Sequence, residues 1–390
     1  GSVGRLKKVT KGELLGVSPN FFIMIKENIL RKEILNEELS RPSWIKQNHR
    51  LSNKIWLDKN ECADPQLNKI VLDSVLSVTV ESVLSYPDLD VLYDKISKFS
   101  QVQAENILIT AGSDGAIRAC FESIIAPGDK VVLTRPTFAM YDIYSKIYGA
   151  EVIWIDYELS EKGPVLTLDK FISVIKEVEP KMICLPNPDS PTGTIFSPDD
   201  LEQIVRTAGE VNALMLIDEA YHPIYQWSAV SLIKKYNHLV VVRSFSKAWG
   251  AAGLRVGYAI ANNDLITLIH KQRPMYEIGS VSAQAIEKLL DYEEDMLQSV
   301  ARVNTGKEYF QNEMKKLGFY TYTSYGNFFH IKFGKYAKDI HNALEGKVYY
   351  RKDFNVPCLD GYSRFSSTTK EIFEPIVSCI VGVVNKKEKS

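Results

Sequence analysis

His238-Leu239-Val240-Val241-Val242-Arg243-Ser244-Phe245-Ser246-Lys247 is the stretch that decides the fold. Its β-branched part is too short for a helix and apolar at consecutive positions, so it reads as a strand buried on both faces. Working outward toward the N-terminus, runs of the same kind recur: ILIT from Ile107, KVVLT from Lys130, EVIWI from Glu151, KMICL from Lys181 and ALMLI from Ala213. Helix-length segments separate them, a rhythm that predicts a mostly parallel sheet sandwiched by helices. The segment from Ser197-Pro198-Asp199-Asp200 opens with a cap, a first-turn proline and acidic residues suited to the positive end of a helix. The strand ends then face loops able to hold a ligand.

Beyond about residue 274 the rhythm changes to a long charged helical stretch, 283–317, then strand-like pieces around Tyr320, Phe328 and Val348 and a closing helix from Lys370. We expect a smaller α+β domain there, over 276–390, beside a large domain over 56–275 and an N-terminal arm over 1–55. The arm carries an amphipathic helix candidate from Phe21 to Leu35, preceded by Ser18-Pro19, expected to pack on a neighbouring surface.

The chain has 390 residues, 45% hydrophobic and 24% charged, with a formal net charge of -1. That balance provides no basic field for a nucleic acid. The five cysteines, Cys62, Cys120, Cys184, Cys358 and Cys379, are scattered without metal-ligand spacing, so reduced thiols are expected and neither a disulfide framework nor a metal site. No apolar run approaches the roughly 20 residues that span a bilayer, and no cleavable leader is evident. A cytoplasmic location without a membrane partner is the resulting expectation.

Lys247 at a strand end can act as a covalent amine if its surroundings keep part of it unprotonated, and the hydroxyls of Ser244 and Ser246 with the guanidinium of Arg255 suit a phosphate. Alone, a lysine in a glycine-containing loop is more often simply solvated. Asp218, in Asp218-Glu219-Ala220-Tyr221, closes the run from Ala213 and brings a carboxylate to the same sheet edge. A carboxylate that keeps a pyridine nitrogen protonated makes that ring an electron sink, the service pyridoxal phosphate requires of a protein. Gly112-Ser113-Asp114-Gly115 follows a strand and opens a helix, so its amides and hydroxyl suit a phosphate, although Ser or Asp there is also an ordinary cap.

With these stretches quoted, the chain resembles the fold-type-I pyridoxal-phosphate enzymes, and most the histidinol-phosphate aminotransferase branch of the class I/II aminotransferases. The resemblance runs over about 57–368 and rests on ordered motifs: Leu57-Asp58-Lys59-Asn60-Glu61, Tyr86-Pro87-Asp88, Gly112-Ser113-Asp114, Arg135-Pro136-Thr137-Phe138, Asn187-Pro188-Asp189-Ser190-Pro191-Thr192-Gly193, Asp218-Glu219-Ala220-Tyr221 and Ser244-Phe245-Ser246-Lys247. It implies a seven-stranded, mostly parallel sheet. It implies that Lys247 carries pyridoxal 5'-phosphate as a Schiff base and then shuttles a proton, with Asp218 on the pyridine nitrogen, Tyr221 at the ring oxygen, Phe138 stacked on the ring and Asn187 and Ser190 among the cofactor-binding residues. Gly112, Ser113, Asp114, Ser244, Ser246 and Arg255 would enclose the cofactor phosphate. Tyr86 would cross to a second subunit's phosphate, which makes a homodimer with shared active sites the expected assembly.

One position departs from the family pattern: Ser190 stands where these enzymes usually place an asparagine that bonds the ring oxygen, so a water, Asp189 or a shifted loop has to compensate. For the substrate, Arg364 matches the family's anion-binding arginine and Arg351 a second one of this branch, with Asn60 and Asn327 at the same mouth. Two guanidinium forks suggest a small phosphorylated amine or amino acid. The motifs leave the reaction open between transamination and decarboxylation of an amino-acid phosphate such as phosphoserine or phosphothreonine. A catalytically idle cofactor-binding protein would respond to no amine. The six histidines, His49, His222, His238, His270, His330 and His341, fall in no motif and are expected to be structural, with His222 next to Tyr221 nearest the site.

Overall fold

The computed structural model describes residues 29–41 and 49–388. After β1 (Ile55–Trp56), the runs read above become β2 (Ile107–Thr110), β3 (Lys130–Arg135), β4 (Glu151–Asp156), then, past the short hairpin β5 (Glu158–Ser160) and β6 (Gly163–Val165), β7 (Met182–Pro186), β8 (Leu214–Asp218) and β9 (Leu239–Ser244). They lie in a seven-stranded sheet of order β2-β10-β9-β8-β7-β3-β4, parallel except at β10 (Gly257–Ala261). Alternate residues serve opposite faces. Val132, Ile183, Met215 and Val241 pack in one apolar cluster, Val131, Leu133, Cys184, Leu216 and Val242 in another. A strand covered on both sides has no polar positions to spare, which is why these runs are continuously apolar.

β10 escaped the sequence reading because Gly257 and the glycines before it look like more loop. It is the antiparallel strand that separates β2 from β9, and Gly257 is required there. A Cβ at that position would lie 2.4 Å from both Gly112 C and Ser113 N.

The C-terminal part holds a three-stranded sheet, β11 (Tyr320–Thr321), β12 (Phe328–Lys332) and β14 (Tyr362–Ser366), while β13 (Val348–Tyr349) pairs in parallel with β1. Leu57 belongs to the apolar cluster of this part, with Phe310, Phe329 and Phe365. The chain thus passes Asn60 across the junction between the two sheets. Asp64, completely buried, caps the helix Pro65–Leu76 and pairs at 2.6 Å with Arg302 of the helix Glu293–Lys316, which ties that crossing down. The charged stretch expected as one helix is two, Ser280–Leu289 and Glu293–Lys316, joined by a 3-10 turn over Leu290–Tyr292.

Ser197 caps the helix Pro198–Glu210 as expected, accepting from Asp200 N at 3.2 Å. Of the candidate helix from Phe21 to Leu35, residues 21–28 lie outside the described residues, and 29–35 form turns closed by Ile34 N to Arg31 O and Leu35 N to Lys32 O. Arg31 and Arg41 attach this segment to Ile147 O and Met140 Sδ of the same chain. Among the described residues no helix is long and apolar enough to cross a membrane.

Candidate active site

The C-terminal ends of β2, β7, β8 and β9 open onto a cavity of about 560 Å³, where a doubly wound sheet presents ligands. Register fixes the floor: Asp218 at the end of β8 lies beside Pro186 of β7 and Val242 of β9, and Gly257 lies between Thr110 and Ser244. Two segments of separate sequence position, a lysine loop and a helix start, therefore meet at one wall.

Lys247 lies on this floor, half-buried, with Nζ donating to Lys59 O at 3.1 Å and standing 5.9 Å from the centre of the Tyr221 ring. Burial pulls its ammonium down to about 8, the Arg364 guanidinium adds to that, and Glu61 opposes it. A lysine so placed is unprotonated in an appreciable fraction of molecules near neutral pH, the condition for a nucleophilic amine.

Asp218 is 6% exposed; Tyr141 donates to its Oδ2 at 3.0 Å and Ala220 N to its Oδ1 at 2.9 Å. Burial pushes the carboxyl up to about 6, with Tyr141 and Ala220 acting the other way. The adjacent Glu219 turns from the cavity into a buried ion pair with Arg243, 3.0 Å apart. One carboxylate of the pair is thereby neutralised and the other left aimed at the site.

Tyr221 OH accepts from Asn60 Nδ2 at 3.0 Å, and Asn60 is held by Ser366, its own amide donating to the hydroxyl at 2.8 Å. Burial raises the Tyr221 phenol above its ordinary value, opposed first by Ser190, then by Arg364 and Asn60. Ser190 lines the cavity and acts on the phenol that the usual asparagine would accompany. Asp189 does not stand in for that asparagine. It is completely buried off the cavity wall, bonded through Oδ2 to Thr192, and burial pushes it up to about 7.

Ser113, Asp114, Ser244, Ser246 and Arg255 gather at one end of the cavity, at the N-terminus of the helix Gly112–Ile124. Arg255 Nη1 reaches Ser246 Oγ at 3.4 Å, and a Cβ on Gly112 would meet Arg255 Nη2 at 2.6 Å. Hydroxyls, helix amides and a guanidinium converging on one point form a phosphate site. Phe138 presents a partly exposed ring on the wall. A cationic phosphate cup, a flat aromatic wall, a buried carboxylate and an amine fit pyridoxal phosphate group by group.

On the lining of the same cavity, Arg351 and Arg364 are joined to each other by an antiparallel bridge, Arg351 N to Arg364 O at 3.0 Å and Arg364 N to Arg351 O at 2.8 Å. Among the described residues neither guanidinium has a carboxylate partner; Arg351 Nε bonds Asp353 O and Arg364 Nη2 bonds Asp58 O. Arg364 Nε is buried without any partner. Two neighbouring guanidiniums on a cavity wall have the chemistry to hold an anion.

Other expected residues lie off this wall. Gly112 lies behind it as the helix start, at φ +75°; Asn187 turns into its loop, accepting from Phe196 N at 2.9 Å; and Asn327 supports Asn60 from behind, donating to its carbonyl at 2.9 Å. Tyr86 is on the surface, 77% exposed and stacked on Tyr276 at 4.3 Å. His222 packs edge-on to Phe99, outside the cavity lining. The sequence reading missed Tyr141, Thr137 and Phe354. Tyr141 stands three residues after Phe138, the spacing that puts both on one helical face, and that signal was available. Phe354 carried none, because it lies in an irregular loop.

Residues 52–378 match the family model described as aminotransferase class I and II. A histidinol-phosphate aminotransferase of Clostridium novyi is 31% identical over 84% of this chain and 91% of its own, and one of a Thermoanaerobacter species is 31% identical over 90% and 97%. The histidinol-phosphate aminotransferase of Sinorhizobium meliloti, solved in complex with pyridoxal-5'-phosphate, superposes with a TM-score of 0.74 at 17% identity, covering 95% of this chain and 97% of that one, and so shares its fold. These relatives are aminotransferases, which sets the decarboxylase reading aside.

Proposed function

We propose a substrate and a division of labour for a chain that belongs to the class I and II aminotransferases and depends on pyridoxal 5'-phosphate. The substrate is a small phosphorylated amine of the histidinol phosphate kind, whose amino group is passed on to a carbonyl acceptor. The observation that carries this reading is the bridge between Arg351 and Arg364, which brings together on the wall that also holds Lys247 two guanidiniums with no ion-pair partner among the described residues. Shape and charge there match a phosphate dianion.

When bound, the cofactor supplies an electron sink for the carbon next to the amino group. The chain does the rest. Asp218 holds a negative charge at the floor, fixed in orientation by Tyr141 and the Ala220 amide. Lys247 offers a neutral amine that would hold the cofactor covalently and that, when free, would take and return the proton of the reacting carbon. Ser113, Ser244, Ser246 and Arg255 anchor the cofactor phosphate, Phe138 covers the ring, and Tyr221 with Asn60 and Ser190 sets the hydrogen bonding at the ring edge.

Arg364→Ala is expected to raise KM for histidinol phosphate by roughly 10- to 100-fold, the equivalent of a lost charged hydrogen bond. Histidinol itself should lose little. Steady-state kinetics on the pair checks this, and an equal loss for both amines overturns the dianion assignment.

We also infer a homodimer. Val80, Val83 and Leu84 expose apolar side chains close in sequence to Tyr86, whose ring stacks on that of Tyr276, and exposed apolar side chains grouped in this way suit a contact between subunits. Sedimentation should report twice the chain mass, and Tyr86→Ala should weaken retention of the cofactor without altering the mass. Full retention by that variant would remove the shared-site part of the reading.

A further inference from the structure

We propose that His330 is the third member of the anion receptor, a positioning residue one aromatic ring away from the ligand that takes up a proton when a dianion bridges Arg351 and Arg364. The inference rests on the anion-binding reading of those two arginines and goes beyond it.

The backbone puts the three residues in a row. β12 and β14 run antiparallel with His330 directly opposite Arg364, and the isolated bridge places Arg351 opposite Arg364 on its other side. Residues directly opposite one another on neighbouring strands point to the same face. Phe354 is the common neighbour: its ring lies 4.1 Å from Arg351 Cζ, 5.8 Å from Arg364 Cζ and 5.6 Å from the centre of the His330 ring. Phe354 and both arginines line the cavity, whereas His330 is completely buried behind them.

Hydrogen bonding fixes which nitrogen carries the proton. The Tyr322 hydroxyl has one hydrogen, given to Thr192 O at 2.8 Å, so its 2.9 Å contact with His330 Nδ1 is one in which the imidazole donates. Nε2 is buried and makes no hydrogen bond among the described residues, and the Pro191 carbonyl is the backbone group that favours a proton on the ring. An unmatched polar atom in a core costs stability that an aliphatic side chain would not, so its presence there calls for a use.

The charges around the ring supply one. Burial holds the imidazole well below its ordinary value, and Arg364 and then Arg351 add to that, while the Pro191 carbonyl works the other way. Tyr322 and Tyr362, the phenols facing it from the neighbouring strands, are both raised and stay neutral. Behind Tyr322, burial pushes Asp189 up to about 7 and Cys358 up to about 12, so neither gives a full negative charge below neutral pH. Asp353 beside Arg351 and Asp58 beside Arg364 offset part of that charge, and a bound dianion offsets more of it. Burial still opposes a proton on the ring, but the push from the two guanidiniums is relieved, so binding of the dianion and protonation of His330 favour one another. Linkage is reciprocal, so the anion binds more tightly as the pH falls.

The test uses sulfate, a dianion throughout the range, titrated calorimetrically into the holoenzyme at pH 6 in two buffers of different ionisation enthalpy. Wild type should take up protons on binding sulfate and bind it more tightly at pH 5.5 than at pH 7.5, by about 3- to 10-fold. His330→Gln keeps a donor for Tyr322 without a titrating ring and should lose both effects, while its affinity at pH 7.5 stays within about 2-fold of wild type. His330→Leu should lose them as well. Equal proton uptake by wild type and either variant overturns the proposal. Sulfate binding that survives the Arg351→Ala, Arg364→Ala double variant overturns the anion-site reading itself, a result distinct from loss of the histidine effect alone.

Discussion

Lys247→Ala is expected to abolish the borohydride-reducible link between the chain and its cofactor and to lower kcat by roughly 10³- to 10⁴-fold, because one side chain provides both the covalent amine and the proton carrier. Burial and Arg364 bring its ammonium to about 8, and among the described residues Lys59 is the one other lysine that lines the cavity. Lys247→Arg keeps the positive charge but not the nucleophile and should fail equally. Peptide mass analysis after reduction checks the link, and single-turnover kinetics checks the rate. A reducible chromophore that stays attached to the Lys247→Ala protein would mean that the reading of the whole site is wrong.

Asp218→Asn should lower kcat by about 10²- to 10³-fold, with a smaller effect on KM, because it removes a preorganised charge while leaving the shape and the Tyr141 contact in place. The pH behaviour of the cofactor-free protein tests the same group independently. Burial raises this carboxyl from 3.8 to about 6, so between those values the folded chain keeps a proton that the unfolded chain releases. Its contribution is therefore unfavourable to folding as the pH climbs through that window, by about 3 kcal/mol at the upper end for a shift of this size. Asp189, raised to about 7, slopes the same way and extends the window upward. Denaturant unfolding across pH 4 to 8 should show Asp218→Asn flattening part of the fall in stability. A variant curve parallel to wild type would contradict the assignment. Cofactor binding should run in the opposite sense and strengthen as the pH rises through about 6, since the ionised carboxylate is the form that pairs with a protonated ring nitrogen.

The sequence by itself determined the central sheet, because strands covered on both faces must be apolar at every position, and that signature is local. It also determined the lysine, the carboxylate and the phosphate-binding helix start, since each follows directly on such a run: Lys247 after β9, Asp218 at the end of β8, Gly112-Ser113 after β2. What it left illegible is what depends on contacts between distant segments. β10 was hidden because a glycine required by the approach of Gly112 and Ser113 reads locally as loop. The sorting of Asn187, Asn327 and Gly112 away from the cavity wall, and of Phe354 toward it, was decided by loop geometry that no spacing encodes. Tertiary structure alone placed Arg351 beside Arg364 and His330 beside both, because a β-bridge joins residues far apart in the chain, and only that adjacency turns separate cations into one receptor.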